Sequence, residues 1–392
     1  MTATRHFLLA AGGTGGHMLP AYALGRELIA RGHRVALVSD DRGLKIPGAP
    51  AEMTTHMLPA GRASGGPVGW IKGALAIRKG RAQAIELIRD FDPAVVVGFG
   101  GYPSLPSLLA AGATKRPRVI HEQNAVLGRV NRLMAPRVDA VAVAYHHIQR
   151  YPAGHELKKH ITGNPVRDEI VAIREDGFPP LLSDGIFRLL VVGGSLGATV
   201  LSEVVPAAIA MLPRALLDRL QIVQQCREDD LEAVRAKYAE LGVAAECAPY
   251  IHDFPERLRW AHMVIARAGA STVAELACAG RPAIFVPYPH AMDDHQTHNV
   301  VDLVEAGGAI SFQQPVFTAG EVAKHIQRMA LEPGALEEAA ERAAGCGLPD
   351  ATRDLADLVE SFAAPPMMDV IRVGASTQRA ASGVAAARRE AK

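Results

Sequence analysis

Twice in this chain an apolar strand runs directly into a glycine turn and then into a helix. The first copy reads HFLLAAGGTGGH from His6, and the second reads FRLLVVGGSLGA from Phe187. Apolar runs without polar alternation belong to strands buried on both faces, a situation that parallel sheets covered by helices provide. Glycines at 12, 13, 15 and 16 let backbone amides approach a ligand without interference from Cβ atoms. Between the two copies, the segment from Arg174 to Asp184 is polar and rich in Pro and Gly, and the pattern restarts after it. At 392 residues the chain exceeds one ordinary core. The expected fold is therefore α/β, with two similar domains facing one another across a cleft, and the cleft is the candidate site. Boundaries are expected at 1–165 and 166–349, with a returning helix at 350–364 and a disordered tail at 365–392.

The glycine turns narrow the chemistry. No Lys follows them, which excludes a P-loop. A dinucleotide fingerprint needs a third glycine where Met18 stands, although Asp40 and Asp41 after the second strand could mimic its ribose acid. An NAD-dependent oxidoreductase remains a rival, weakened because one dinucleotide site does not require two glycine turns.

Net charge is +1, so no global attraction to nucleic acid is expected. Cys226, Cys247, Cys278 and Cys346 form no C-x-x-C and fit free thiols in a reducing cytoplasm. The apolar run Phe7 to Ala11 is too short for a signal sequence, and nothing reaches the length of a membrane span. Membrane contact would have to be peripheral. PVGWIKGALAIRKGRAQAIELIR, from Pro67, offers a means: Trp70, Ile71, Leu75 and Ile77 alternate with Lys72, Arg78, Lys79 and Arg81. Such a helix either lies on an anionic bilayer or faces its own core.

Two further segments carry polar side chains at expected strand ends. Gly101-Tyr102-Pro103-Ser104 is another glycine turn, and His121-Glu122-Gln123-Asn124 closes the next strand. Four polar groups there cost stability unless they bind something or satisfy each other. Asp90-Phe91-Asp92 resembles a metal-binding D-x-D but precedes its strand, so it reads as a solvated loop. The stretch from Arg267 to Asn299 delivers two helix starts and many polar groups to one sheet edge, where a phosphate-bearing ligand is the natural occupant. Within it, Glu275 could accept hydrogen bonds from both hydroxyls of a ribose. Thr272-Val273-Ala274-Glu275 equally fits a capping box. His290, His295 and His298 lack a Glu inside the H-x-x-H and a third ligand at fixed spacing, so zinc is not expected.

GGTGGH, GGYPS, HEQN, TGNPVR, GGSLGA and RAGAS-TVAEL-PYPHAMDDHQ, in this order, resemble the MurG family from about Phe7 to about Phe362. Its members convert lipid I to lipid II in peptidoglycan synthesis. The resemblance implies a two-domain GT-B glycosyltransferase, inverting, peripheral on the cytoplasmic face of the inner membrane, with no cofactor and no metal. The donor would be UDP-N-acetylglucosamine, and the acceptor undecaprenyl-pyrophosphoryl-muramyl-pentapeptide. Carried over, Arg167, Ser195, Ile251, Ala270, Ser271, Thr272, Glu275, Gln296 and Asn299 would bind the donor, with Ile251 against uracil and Glu275 on the ribose. Thr14, Gly15, Gly16 and Asn124 would line the donor side of the cleft. Gly101, Tyr102, His121, Glu122, Asn124 and His17 would face the acceptor. His17 is the expected base, since an imidazole titrates near neutrality. A UDP-N-acetylglucosamine 2-epimerase shares this architecture and is the second alternative.

Overall fold

The computed structural model describes residues 4–363 except 60, 62–65, 183, 195 and 196, and only the backbone of 67, 68 and 70. The chain forms two all-parallel sheets. The first contains β1 (His6–Ala10), β2 (Arg34–Ser39), β3 (Thr54–Met57), β4 (Val95–Gly98), β5 (Arg118–Glu122), β6 (Ala140–Val143) and β7 (Lys159–Ile161), in the order β3-β2-β1-β4-β5-β6-β7. The second contains β8 (Phe187–Val192), β9 (Leu220–Gln225), β10 (Ala244–Ala248), β11 (Met263–Ala266), β12 (Ala283–Phe285) and β13 (Ala309–Ser311), in the order β10-β9-β8-β11-β12-β13.

Both orders reverse once, between β1 and β4 and between β8 and β11. Ligands of open α/β sheets bind at such reversals, beyond the carboxyl ends of the strands, because the adjacent connections leave in opposite directions and open a crevice. All four bordering strands end in the motifs singled out above: GGTGGH after β1, GGYPS after β4, GGSLGA after β8 and RAGAS after β11.

Each sheet is covered on both faces. Phe7, Leu9, Val35, Leu37, Val95 and Val97 feed one core of the first sheet, and Leu8, Ala36, Val96, Ile120 and Val141 the other. Successive residues of one strand thus enter opposite cores, as a pleated strand requires. The Ala351–Ser361 helix returns to the first sheet and buries Leu355, Ala356 and Val359 in its core. An ionic cluster fastens it there: Arg31 pairs with Asp357 and Glu360, and His33 Nε2 lies 2.6 Å from Glu360 Oε1.

The basic segment is one helix, Gly66–Phe91. Its second half packs on the first sheet through the buried Ala84 and Ile88. Ile71 and Leu75 in its first half are 62% and 60% exposed, beside exposed Lys72, Arg78 and Lys79. The core-facing and the surface-facing readings therefore each describe one half. The Trp70 side chain lies outside the described residues. No described helix is long and apolar enough to cross a membrane.

Candidate functional site

The first glycine turn is held from beneath. Asp40 Oδ1 accepts from the Gly13 N–H at 3.1 Å and from the Gly43 N–H at 2.9 Å. That carboxylate supports the loop, so the suggested ribose role of Asp40 is replaced by a structural one. A Cβ on Gly12 would meet Pro103 at 2.5 Å, because the turns after β1 and β4 pack against each other. Thr14 is the N-cap of the Gly15–Ala30 helix, and His17 lies in its first turn.

His17 sits half-buried on the turn after β4. A Cβ at Gly100, where φ is +87°, would stand 3.3 Å from its Cδ2 and Nε2. Thr14 Oγ1 lies 3.2 Å from Nδ1. Burial holds the imidazole below its usual pKa; the Glu122 carboxylate and the Gly12 backbone oppose this, and His295 of the second sheet's side adds to it. A proton on Nδ1 satisfies Thr14 and Gly12 and leaves the Nε2 lone pair free. Tyr102 packs half-buried on the first sheet's core that contains Leu8 and Ile120.

His121 and Glu122, expected against the acceptor, are instead interior. His121 is fully buried, with Nε2 2.9 Å from the Gly163 carbonyl and Nδ1 3.0 Å from the Gln123 amide; burial takes its pKa to about 4. Glu122 Oε1 accepts from Asn124 N and Nδ2, and Oε2 from Gly128 N and Asn131 Nδ2, all within 2.8–3.3 Å. One carboxylate thereby shapes the whole loop from Asn124 to Asn131. Asn131 was not picked out in the sequence.

On the other side, the Ala270–Cys278 helix opens at the β11 end with Gly269 as N-cap. Thr272 lies inside the first turn and is not the cap, which overturns the capping-box reading. Glu275 Oε1 instead accepts from Arg167 Nε at 2.9 Å, and that guanidinium stands 5.5 Å from the Phe254 ring centroid. Burial raises the Glu275 pKa, and Arg167 opposes the rise. Ala270, Ser271 and Thr272 present first-turn N–H groups that a helix leaves without internal partners. Ile251 is half-buried against a core of the second sheet that includes Leu190, Val264 and Leu276. Gln225 accepts from Gly193 N at 3.1 Å and donates to the Gly194 carbonyl at 3.0 Å, bracing the second glycine turn. Ser195 lies outside the described residues.

Gln296 Oε1 accepts from Tyr288 N at 2.9 Å. Asn299, expected on the sugar, is fully buried and bridges the two sides. Its Oδ1 accepts from Ala125 N at 2.8 Å, while its Nδ2 donates to the Ala268 carbonyl and to Asn124 Oδ1. Asn164, just after β7, donates to the Gln123 carbonyl on the first side and, at 3.5 Å, to the Ala270 carbonyl on the second. The described residues contain no group of three His, Cys, Asp or Glu placed to hold a metal. A cavity of about 120 Å³ lined by His325, Arg328 and Arg342 lies at the amino ends of β12 and β13, the wrong edge for the glycine turns.

Fold and cleft together define a glycosyltransferase of GT-B architecture. Residues 7–143 match the glycosyltransferase family 28 N-terminal domain, and residues 188–355 match the C-terminal domain of the same family. The chain belongs to the MurG family. It is 93% identical, over the full length of both, to the UDP-N-acetylglucosamine–N-acetylmuramyl-(pentapeptide) pyrophosphoryl-undecaprenol N-acetylglucosamine transferase of Sphingopyxis alaskensis. It is 56% identical to the enzyme of that name from Zymomonas mobilis, over 92% of this chain and 93% of that one. Acinetobacter baumannii MurG superposes with a TM-score of 0.73 at 30% identity, covering 91% of this chain and 99% of that one. A Listeria monocytogenes UDP-N-acetylglucosamine 2-epimerase structure, described as putative in its own name, reaches 0.59 at 14% identity over 90% and 94%, a likeness of fold alone.

Proposed function

We infer that the chain transfers N-acetylglucosamine from UDP-N-acetylglucosamine to the muramyl 4-hydroxyl of a pyrophosphoryl-undecaprenol-linked acceptor, releasing UDP. The observation that carries this reading is the tie across the cleft at Asn299, whose Oδ1 accepts from Ala125 N and whose Nδ2 donates to Asn124 Oδ1, so that the donor-side loop abuts the domain that bears His17. As the acceptor oxygen bonds to the anomeric carbon, the bond to the UDP oxygen breaks on the opposite face, and configuration inverts. His17 Nε2 takes the hydroxyl proton. The charge growing on the diphosphate is met by first-turn N–H groups at 270–272 and by Arg167. Glu275 receives the ribose hydroxyls, Ile251 packs on the uracil, and Ser195 and Gln296 complete the donor side. From the first domain Thr14, Gly15, Gly16 and Asn124 line the donor side of the cleft, and Gly101, Tyr102 and Asn124 face the acceptor, with His121 and Glu122 supporting them from below. The two domains, divided near 165 with the Ala351–Ser361 helix tied back to the first, carry the two substrates.

Membrane contact is made by the Gly66–Phe91 helix through Ile71 and Leu75 within a basic surround, which suits an anionic bilayer. A soluble nucleotide-sugar donor assigns this to the cytoplasmic face. Radiolabelled UDP-N-acetylglucosamine and a short-chain lipid I analogue, with EDTA present, test the reading. Label on the lipid and free UDP are expected, and His17→Ala should cut turnover by about 100-fold or more. Label recovered as N-acetylmannosamine would favour the epimerase. Turnover of His17→Ala within a few-fold of wild type would remove His17 as base.

A further inference from the structure

Among the described residues, five that are not glycine have positive φ; two of them, Arg150 and Asp293, pair with each other between the domains, and a third, Asp294, follows Asp293. Asp293 (φ 55°, ψ 23°) and Asp294 (φ 53°, ψ 31°) are consecutive left-handed residues on the donor-side loop. Left-handed backbone is costly for a residue with a Cβ and persists where the surroundings over-determine it. Here the surroundings are charges. Asp293 Oδ2 accepts from Arg132 Nη2 at 2.9 Å, and Oδ1 from Arg150 Nη1 at 2.7 Å. Both arginines belong to the first domain: Arg132 to the Arg129–Met134 helix, Arg150 to the connection between β6 and β7. The Asp293 side chain is 19% exposed, so the pairs are partly shielded from water. Those arginines, with Arg129 close by, hold its pKa below the usual carboxylate value.

Asp294 turns the other way and accepts from Thr297 Oγ1 at 2.7 Å. The loop is thus tied to the first domain at Asp293 and again, six residues on, at Asn299 through Ala125 N. His295 and Gln296 lie between the two ties. We propose that Asp293 is a positioning residue for the transfer reaction: clasped by Arg132 and Arg150, it fixes the register of the donor-side loop against the domain that carries His17. The proposal rests on the transferase reading given above. Asp293 would touch neither substrate, and its contribution is to assemble the two halves of the site.

Asp293→Asn keeps a side chain tolerant of left-handed backbone and removes the charge. Its kcat at saturating donor and acceptor should fall about five- to tenfold, with UDP affinity unchanged within twofold. Wild-type kcat should decline as NaCl is raised, and the variant should respond less. Arg150→Gln, at a half-exposed position, should show the same pattern and decides the matter alone if Asp293→Asn does not fold. Small-angle scattering with UDP-N-acetylglucosamine should show a less compact particle for each variant than for wild type. Wild-type kcat and salt response in both variants would overturn the proposal. So would a fall in UDP affinity equal to the fall in kcat, which would make Asp293 a residue of the donor site itself. Failure of the transferase reading is distinguishable, since wild type would then move no label to the lipid.

Discussion

His121 offers a measurable consequence of its burial. Both ring nitrogens have neutral partners, and its pKa in the folded protein is about 4. In an unfolded chain an imidazole titrates near 6.5, so between these values the unfolded state binds a proton that the folded state refuses. Stability is therefore lost as pH falls below about 6.5, and the loss is complete near 4. At pH 5 it amounts to about 2 kcal/mol from this residue. Urea denaturation at pH 7.5 and pH 5, for wild type and His121→Asn, isolates it, since His262 and His325, also near 4, are common to both. The variant should be less stable at pH 7.5, because the Gly163 carbonyl loses its donor. Its drop between them should be smaller by about 2 kcal/mol. Its acceptor KM should stay within a few-fold of wild type. An unchanged pH dependence, or a tenfold rise in acceptor KM without loss of stability, would refute the interior role and return His121 to the acceptor surface.

Two other perturbations address substrate and surface. Glu275→Gln replaces the carboxylate by a neutral amide, and donor KM should rise about tenfold or more, because hydrogen bonds to a charged group contribute about 1.5–3 kcal/mol; an unchanged KM would leave Glu275 as a partner of Arg167 only. Replacing Ile71 and Leu75 by Ser should weaken binding to phosphatidylglycerol-containing vesicles about tenfold while transfer to a water-soluble acceptor persists, since each exposed side chain offers about 1–3 kcal/mol of burial. Sedimentation with vesicles reads the first, and equal sedimentation of variant and wild type would take this helix off the membrane.

The α/β class and the two domains were legible because buried parallel strands leave unbroken apolar runs and glycine turns recur after them. Strand ends at Gly12, Gly101, Gly193 and Gly269 could be placed from local composition alone. What could not be read was depth. His121 and Glu122 look like ligand-facing groups because they end a strand, yet the pleat and the following loop turn them inward. Thr272-x-x-Glu275 matched a capping pattern, but the N-cap is Gly269, three residues earlier, which sets Glu275 a turn further on and within reach of Arg167. Arg132, Arg150 and Asp293 could not be joined from the sequence, since their pairing spans about 140–160 residues and depends on how two domains meet.

That difference in depth separates two kinds of polar residue in the cleft. A group that binds a ligand must keep a free donor or acceptor, as the 270–278 helix does at its first N–H groups. A group that shapes the cleft must have its hydrogen bonds filled from within, as Glu122 does with four donors and Asn299 with partners on both domains. Both kinds are polar and cluster at strand ends, so motif alone does not distinguish them. The supporting set also has a functional consequence. In the proposed mechanism an acceptor oxygen, His17 and the donor's anomeric carbon must align across two separately folded sheets, and small displacements cost large factors in rate. A cleft lined by mobile polar groups would meet that demand only briefly. Glu122 holding the 124–131 loop, Gln225 bracing the second glycine turn and Asn299 crossing between domains make the alignment a property of the folded chain, leaving substrate binding to complete it.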